Sequence, residues 1–248
     1  MTQEQNSPNL PTKSGFGDID VARLQSLREK GFNPECIFDI GGSDGSWTRK
    51  VQSVFPSTQF HLFEPLADIA GAYTANLESF VSANSNVHLH KVAVGRENGS
   101  LLFNHREENP SASTAIEVGN KSRYQQVEVP LVTLDSLIGT KTPVPNMLKI
   151  DIQGGELNVL RGCVSNLASI EVLLLETWLS RGYGQSTPMI HELMNFLLPF
   201  GFFMFDVGDC WRNANGSLIS QDFYFVNERS EMASDYSFYA PTAKISAA

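Results

Sequence analysis

Four carboxylates in this sequence stand at or near the end of short apolar runs. Asp39 lies in Cys36-Ile37-Phe38-Asp39-Ile40, and Glu64 follows Phe60-His61-Leu62-Phe63. Asp151 follows Met147-Leu148-Lys149-Ile150, and Glu176 follows Val172-Leu173-Leu174-Leu175. Runs of this length and composition are the pattern of strands buried in a parallel sheet. A carboxylate at the carboxyl end of such a strand faces the crevice where open α/β sheets bind ligands. There it can accept hydrogen bonds from ligand hydroxyls or take a proton from one. Two of the four are followed by glycines: Gly41, Gly42 and Gly45 after Asp39, and Gly154 and Gly155 after Asp151. Glycine lets a backbone turn sharply and approach a ligand closely, because no Cβ intervenes.

The first glycine turn is expected to hold a nucleotide-like cofactor against a helix N-terminus. Ser43, Asp44 and Ser46 are candidate N-caps for a helix over residues 47–54. The dinucleotide fingerprint G-x-G-x-x-G is not met, since counting from Gly41 puts Ser43 and Ser46 at its second and third glycines. An acid in the first strand, glycines without that spacing and a second acid one strand later suit S-adenosylmethionine instead. Asp39 would meet the amino-acid end of that cofactor, directly or through water, and Glu64 would accept both ribose hydroxyls. The alternative is an ordinary α/β loop with a carboxylate capping a helix.

The chain has 248 residues, 42% of them hydrophobic, which suffices for one sizeable α/β domain. Its net charge of −9 argues against nucleic acid or an anionic membrane as partner. Cys36, Cys163 and Cys210 are odd in number and read as reduced core thiols. Residues 1–17 are expected to be a flexible lead-in without a signal-peptide layout, and residues 228–248 a surface tail. No apolar run reaches membrane-spanning length, so a soluble cytoplasmic protein is the default expectation. The oligomeric state is not readable.

Between these ends the elements alternate. A helix is expected from Asp18 to about residue 30, and another over 67–80 with Leu66, Ile69, Tyr73 and Leu77 on one face. A third strand is expected over 87–94, where Val92 and Ala93 would wall the adenine-like part of a cofactor or simply fill the core. Strands over 100–104 and 127–132 flank a polar stretch, residues 104–126, with His105, Arg106, Ser111, Ser113, Thr114, Arg123 and Tyr124. An insertion of this length is expected to cover the acceptor side. Thr133 opens a short helix, Glu156 lies in the first turn of a helix that Gly162 ends, and Ser186 or Thr187 with Pro188 opens another through about residue 198. Strands over 202–207 and 223–226 form an antiparallel pair joined by a loop over 209–220. The expected fold is α/β: one doubly wound, Rossmann-like, seven-stranded, mostly parallel sheet with an antiparallel last strand. A hairpin is inserted after strand 3, and the domain spans residues 18–227.

This layout resembles the class I S-adenosylmethionine-dependent methyltransferases and, more narrowly, the FkbM-type methyltransferases. The resemblance rests on Asp39 to Gly45, Phe63-Glu64-Pro65, Val92 to Gly95, Val132 to Asp135, Lys149 to Glu156 and Val159 to Gly162. It covers roughly residues 36–226. The family commonly has Ala-Asn where this chain has Gly42-Ser43. The resemblance implies O-methylation of a hydroxyl on a sugar, glycolipid or polyketide-type natural product, with S-adenosylhomocysteine as the second product. Asp39, Gly41, Gly42, Ser43, Gly45, Glu64, Pro65, Val92, Ala93 and Asp151 are the candidate cofactor residues. A hydroxyl benefits from a base. Asp151 is the first candidate, with Glu176 or a histidine (His105, His191) as alternatives. Asp151 with Glu176 as a divalent-cation site is not favoured, because the sequence shows no histidine-rich cluster. Trp178, Tyr183 and Trp211, in the loops after residues 178 and 209, are candidate stacking surfaces for the acceptor. A nicotinamide oxidoreductase and a catalytically silent cofactor-binding module are the other classes consistent with the topology.

Overall fold

The computed structural model describes residues 18–69, 72–106, 113–115 and 124–234. The lead-in, most of the tail, and Ser111 and Arg123 of the expected cover lie outside them. The main sheet uses β1 (Cys36–Ile40), β2 (Gln59–Phe63), β3 (Val87–His90), β7 (Met147–Ile150), β8 (Val172–Trp178), β9 (Phe202–Arg212) and β10 (Leu218–Asn227). Their order is β3-β2-β1-β7-β8-β10-β9, with β10 antiparallel to both neighbours. A smaller sheet, β4-β6-β5, is built from β4 (Ala93–Val94), β5 (Gly99–His105) and β6 (Gln125–Val132). This is the expected class, including the antiparallel last strand and the hairpin after the third strand.

Alternation along the strands makes a three-layer core. Ile37, Leu62, Met147, Val172 and Leu174 face α1 (Asp18–Glu29), α2 (Ser46–Val51) and α3 (Ala72–Ala83). Phe38, Ile40, Leu148, Ile150 and Leu173 face α4 (Leu134–Leu137), α5 (Glu156–Arg161) and α6 (Ile190–Leu197). Strand order reverses at β1 and β7, so the loops after these two strands flank the crevice of the switch point.

Several boundaries differ from expectation, each for a local reason. The strand expected over 87–94 divides. Val92 N turns back to His90 O, and Gly95 N then joins Val132 O, which carries Ala93 and Val94 into the smaller sheet. The helix expected from residue 67 begins at Ala72. Glu64 Oε1 accepts the Leu66 amide, residues 65–69 form turns, and Ile69 is exposed. Gly45, in a left-handed conformation, caps α2 in place of Ser43, Asp44 or Ser46, although Asp44 Oδ1 accepts the Ser46 amide. α6 starts at Ile190, because Glu192 takes the Met189 amide. Thr187 instead closes the preceding loop by accepting the Tyr183 and Gly184 amides. Most of the loop expected over 209–220 is strand. Register irregularities let β9 and β10 continue past it, and the Gln221 amide bridges to the carbonyls of Gly208 and Asp209.

Cys36 and Cys163 are buried, and burial pushes both thiols up to about 12, whereas Cys210 is exposed and is not the core thiol expected. Met232, in the segment expected as tail, is 3% exposed and packs into the core. Among the described residues no helix is long and apolar enough to cross a membrane.

Candidate active site

A cavity of about 470 Å³ opens at the switch point. This lies within the range of small-molecule sites, about 300–1,000 Å³. Its wall brings together Gly41, Gly42, Ser43, Glu64, Pro65, Val92, Ala93, Asp151 and Glu176, all expected from the sequence to be site residues. Ser113 and Ala115 from the expected cover also reach it.

The turn after β1 is shaped by close approach. Gly41 has φ +85°, and a Cβ there would run into the carbonyl oxygen of Asp151. The two loops that flank the crevice therefore pack backbone to backbone. Ser43 N donates to Glu64 Oε2 at 3.0 Å and Leu66 N to Oε1 at 2.9 Å, which fixes the Glu64 carboxylate at the cavity wall. Glu64 therefore presents a fixed carboxylate, a group that accepts from hydroxyls, at the cavity wall.

Seven expected residues lie elsewhere. Asp39 is fully buried beneath the turn and does not line the cavity. Its Oδ2 accepts from Thr48 Oγ1 at 2.7 Å, and its Oδ1 pairs with Lys149 Nζ at 3.0 Å. Burial pushes the Asp39 carboxyl up, and the Lys149 ammonium opposes that. Gly45 turns the chain into α2 against Phe80 and does not reach the cavity. His105 is buried in β5, with Nδ1 3.4 Å from Ser113 Oγ, and is not in the wall, so its strand position withdraws it as a base. His191 is exposed on α6. Trp178 meets Tyr183 and Trp211 edge to face, and none of the three lines the cavity.

The far end of the cavity is acidic. Asp151 Oδ2 lies 3.6 Å from Lys149 Nζ. Burial disfavours charge on Lys149, but Asp39 and Asp151 outweigh it and hold the ammonium above the usual lysine range. Glu176 accepts from Ser220 Oγ at 3.2 Å and from Gln153 Nε2 at 3.1 Å. Burial, then Asp151, Glu156 and Asp222, push its carboxyl well above the usual range. Asp222 is its register partner across β8 and β10 and is raised mainly by burial as well. Glu156 stays below the wall. Its Oε1 accepts the Gly154 amide at 2.9 Å and the Ile152 amide at 3.3 Å, and burial pushes its carboxyl up to about 7.

Lys149 and Gln153 also line the cavity, although the sequence assigns neither a role. A lysine inside the apolar run Met147-Leu148-Lys149-Ile150 was a usable signal, because a buried ammonium requires a carboxylate partner. The histidines are the reverse case. The register of β2 and β3 stacks His61, His88 and His90, with His61 Nδ1 2.9 Å from His90 Nε2, so the sequence expectation of no histidine cluster fails. These rings do not line the cavity. Among the described residues no group of three or more such side chains is arranged to hold a metal ion.

A sequence profile described as the methyltransferase FkbM domain matches residues 39–204. The chain is 26% identical over 144 residues to Methyltransferase 1 of Beauveria bassiana, covering 51% of this chain and 57% of that protein. It is 26% identical over 163 residues to the hexuronic acid methyltransferase AglP of Haloferax volcanii, covering 64% and 62%. The chain thus spans less than two thirds of either relative. Among solved structures, the methyltransferase FkbM of Methylobacillus flagellatus superposes with a TM-score of 0.51 at 15% identity, over 76% of this chain and 43% of that one. The O-methyltransferase TomG of Streptomyces achromogenes gives 0.50 at 12%, over 89% and 83%. At these identities the structures speak for the fold alone. Because the FkbM profile spans both glycine turns and every strand that carries a cavity carboxylate, this chain belongs to the FkbM methyltransferase family.

Proposed function

We propose that the chain is an S-adenosylmethionine-dependent O-methyltransferase acting on a hydroxyl of a small molecule: a sugar, glycolipid or natural product. One observation carries this reading. Glu64 at the tip of β2, Asp151 just after β7 and Glu176 within β8 open onto the same cavity, over the Gly41-Gly42 turn. The cavity fits the cofactor in three respects. Its volume is adequate, the Gly41 turn lies against the Asp151 carbonyl as closely as only a glycine allows, and its lining acids outnumber the single Lys149, which suits a cationic ligand.

When bound, S-adenosylmethionine supplies an electrophilic methyl group, which passes to the acceptor oxygen as the carbon–sulfur bond breaks and the electron pair stays on sulfur. The protein's own part is alignment, exclusion of water and removal of one proton. Glu64 holds the cofactor's ribose hydroxyls, and Val92 and Ala93 wall its adenine. Asp151 takes the proton that leaves the acceptor hydroxyl. Ser113 and Ala115 close the cavity from the hairpin side. AglP's description as a hexuronic acid methyltransferase supports a saccharide among the acceptors.

The test is release of S-adenosylhomocysteine across a panel of hydroxylated sugars, glycolipids and phenolic natural products. Turnover with a hydroxylated acceptor, lost in Asp151→Asn, is expected. Undiminished turnover in Asp151→Asn with an unchanged pH profile would remove Asp151 as the base.

A further inference from the structure

Gln153 occupies the centre of the acidic end. Its backbone is left-handed at φ +62°, a region that side chains other than glycine, asparagine and aspartate rarely adopt. Four groups converge on it. The side-chain nitrogen donates to Asp151 Oδ1 at 2.7 Å and to Glu176 Oε2 at 3.1 Å. The side-chain oxygen accepts from the Tyr183 hydroxyl. The main-chain oxygen accepts from Thr114 Oγ1 at 2.7 Å. Burial pushes the Tyr183 phenol above its ordinary range, so it acts as a donor. A donor on the amide oxygen fixes the amide's orientation and turns both N–H bonds toward the two carboxylates. Tyr183 comes from the segment between β8 and α6 and Thr114 from the hairpin insertion, so Gln153 ties the two carboxylates to two distant segments of the chain.

The two carboxylates keep different company. Asp151 has the Lys149 ammonium within 3.6 Å. No ion pair from the described residues reaches Glu176, which lies opposite Asp222 on β10 and close to the buried Glu156 of α5. An amide with two hydrogens can serve both carboxylates at once, whereas a glutamate at the same position would add a third negative charge. Burial and these neighbours favour a proton on Glu176.

We propose that Gln153 is a positioning residue: by giving one hydrogen to each carboxylate it holds Asp151 and Glu176 together in the cavity wall and leaves Asp151 as the group that accepts the acceptor's proton. The assignment of the base rests on the methyl-transfer reading, but the shared amide can be tested without an acceptor.

The experiment is a carboxyl ¹³C-NMR titration of the whole protein labelled at Asp and Glu. The two resonances are assigned by Asp151→Asn and Glu176→Gln. Gln153→Asn keeps an amide and suits the left-handed backbone, so it folds while withdrawing the donor by one methylene. Gln153→Glu replaces the donor by a charge. Loss of a hydrogen bond to a carboxylate raises its midpoint. The expected result is an upward shift of the Glu176 midpoint in Gln153→Asn and a larger one in Gln153→Glu, with the Asp151 carboxyl resonance displaced from its parent position in both variants. Titrations that superimpose on the parent's in both variants would overturn the proposal. If the parent itself shows no stabilisation by S-adenosylhomocysteine while the midpoints still move, the methyl-transfer reading fails and the positioning of the pair stands.

Discussion

Lys149 and Asp39 are register partners across β7 and β1, and their charged atoms stand 3.0 Å apart with side chains 7% and 0% exposed. The same ammonium also reaches the Gly41 carbonyl at 3.2 Å and Asp151 at 3.6 Å. One cation therefore ties the glycine turn after β1 to the acid that ends β7. Removing one partner of a buried pair strands the other, at a cost of about 3–5 kcal/mol. Lys149→Met is expected to lose that much stability in urea denaturation, and Asp39→Asn/Lys149→Met to recover much of it.

The Gly41 turn predicts a different kind of defect. Alanine at φ +85° is strained and its Cβ would meet the Asp151 carbonyl. Gly41→Ala should destabilise by at least about 2 kcal/mol and widen the crevice. The urea midpoint measures the first effect, and loss of stabilisation by S-adenosylhomocysteine measures the second. A variant as stable as the parent and unchanged in ligand response would show that the close approach carries no weight.

Much of this site was legible because its signals are local. An apolar run tipped by an acid predicts both a buried strand and a carboxylate at the crevice, and Glu64, Asp151 and Glu176 all line the cavity. What the sequence did not show depends on register or torsion. Asp39 looked like a cofactor contact until the pairing of β1 with β7 put Lys149 beside it. His105 looked available as a base until β5 buried it. The hub at Gln153 depends on a positive φ and on two distant segments, neither of which leaves a spacing to read.

The stacked histidines predict an acid limb in stability. Burial, followed by the His90 and His88 charges, lowers His61 from its usual 6.5 to about 4. The unfolded chain then binds the extra proton, so stability is complete above about 6.5 and is lost as pH falls toward 4. The size of this contribution is up to roughly 3 kcal/mol. Urea midpoints measured from pH 7 to pH 4 should fall less steeply in His61→Leu than in the parent. Parallel curves would contradict the assignment.

Glu156 predicts the opposite slope. Its folded value of about 7 lies above the usual 4.5, so the stability linked to its proton is present below about 4.5 and is lost as pH rises through 7. Glu156→Gln retains an oxygen for the Gly154 and Ile152 amides but carries no charge. At pH 8 the variant should match or exceed the parent, by up to roughly 3 kcal/mol. A less stable variant at pH 8 would show that the carboxylate itself is needed there.

The central claim is that Glu64 and the glycine turn hold S-adenosylmethionine. It is tested most directly by a thermal-shift titration with S-adenosylmethionine, S-adenosylhomocysteine and NAD. A ligand at about a hundred times its dissociation constant adds roughly 2.7 kcal/mol, a readable rise in melting temperature. The account predicts a rise with both sulfur ligands, none with NAD, and loss of the rise in Glu64→Ala. No rise with either sulfur ligand, or a rise with NAD alone, would contradict it.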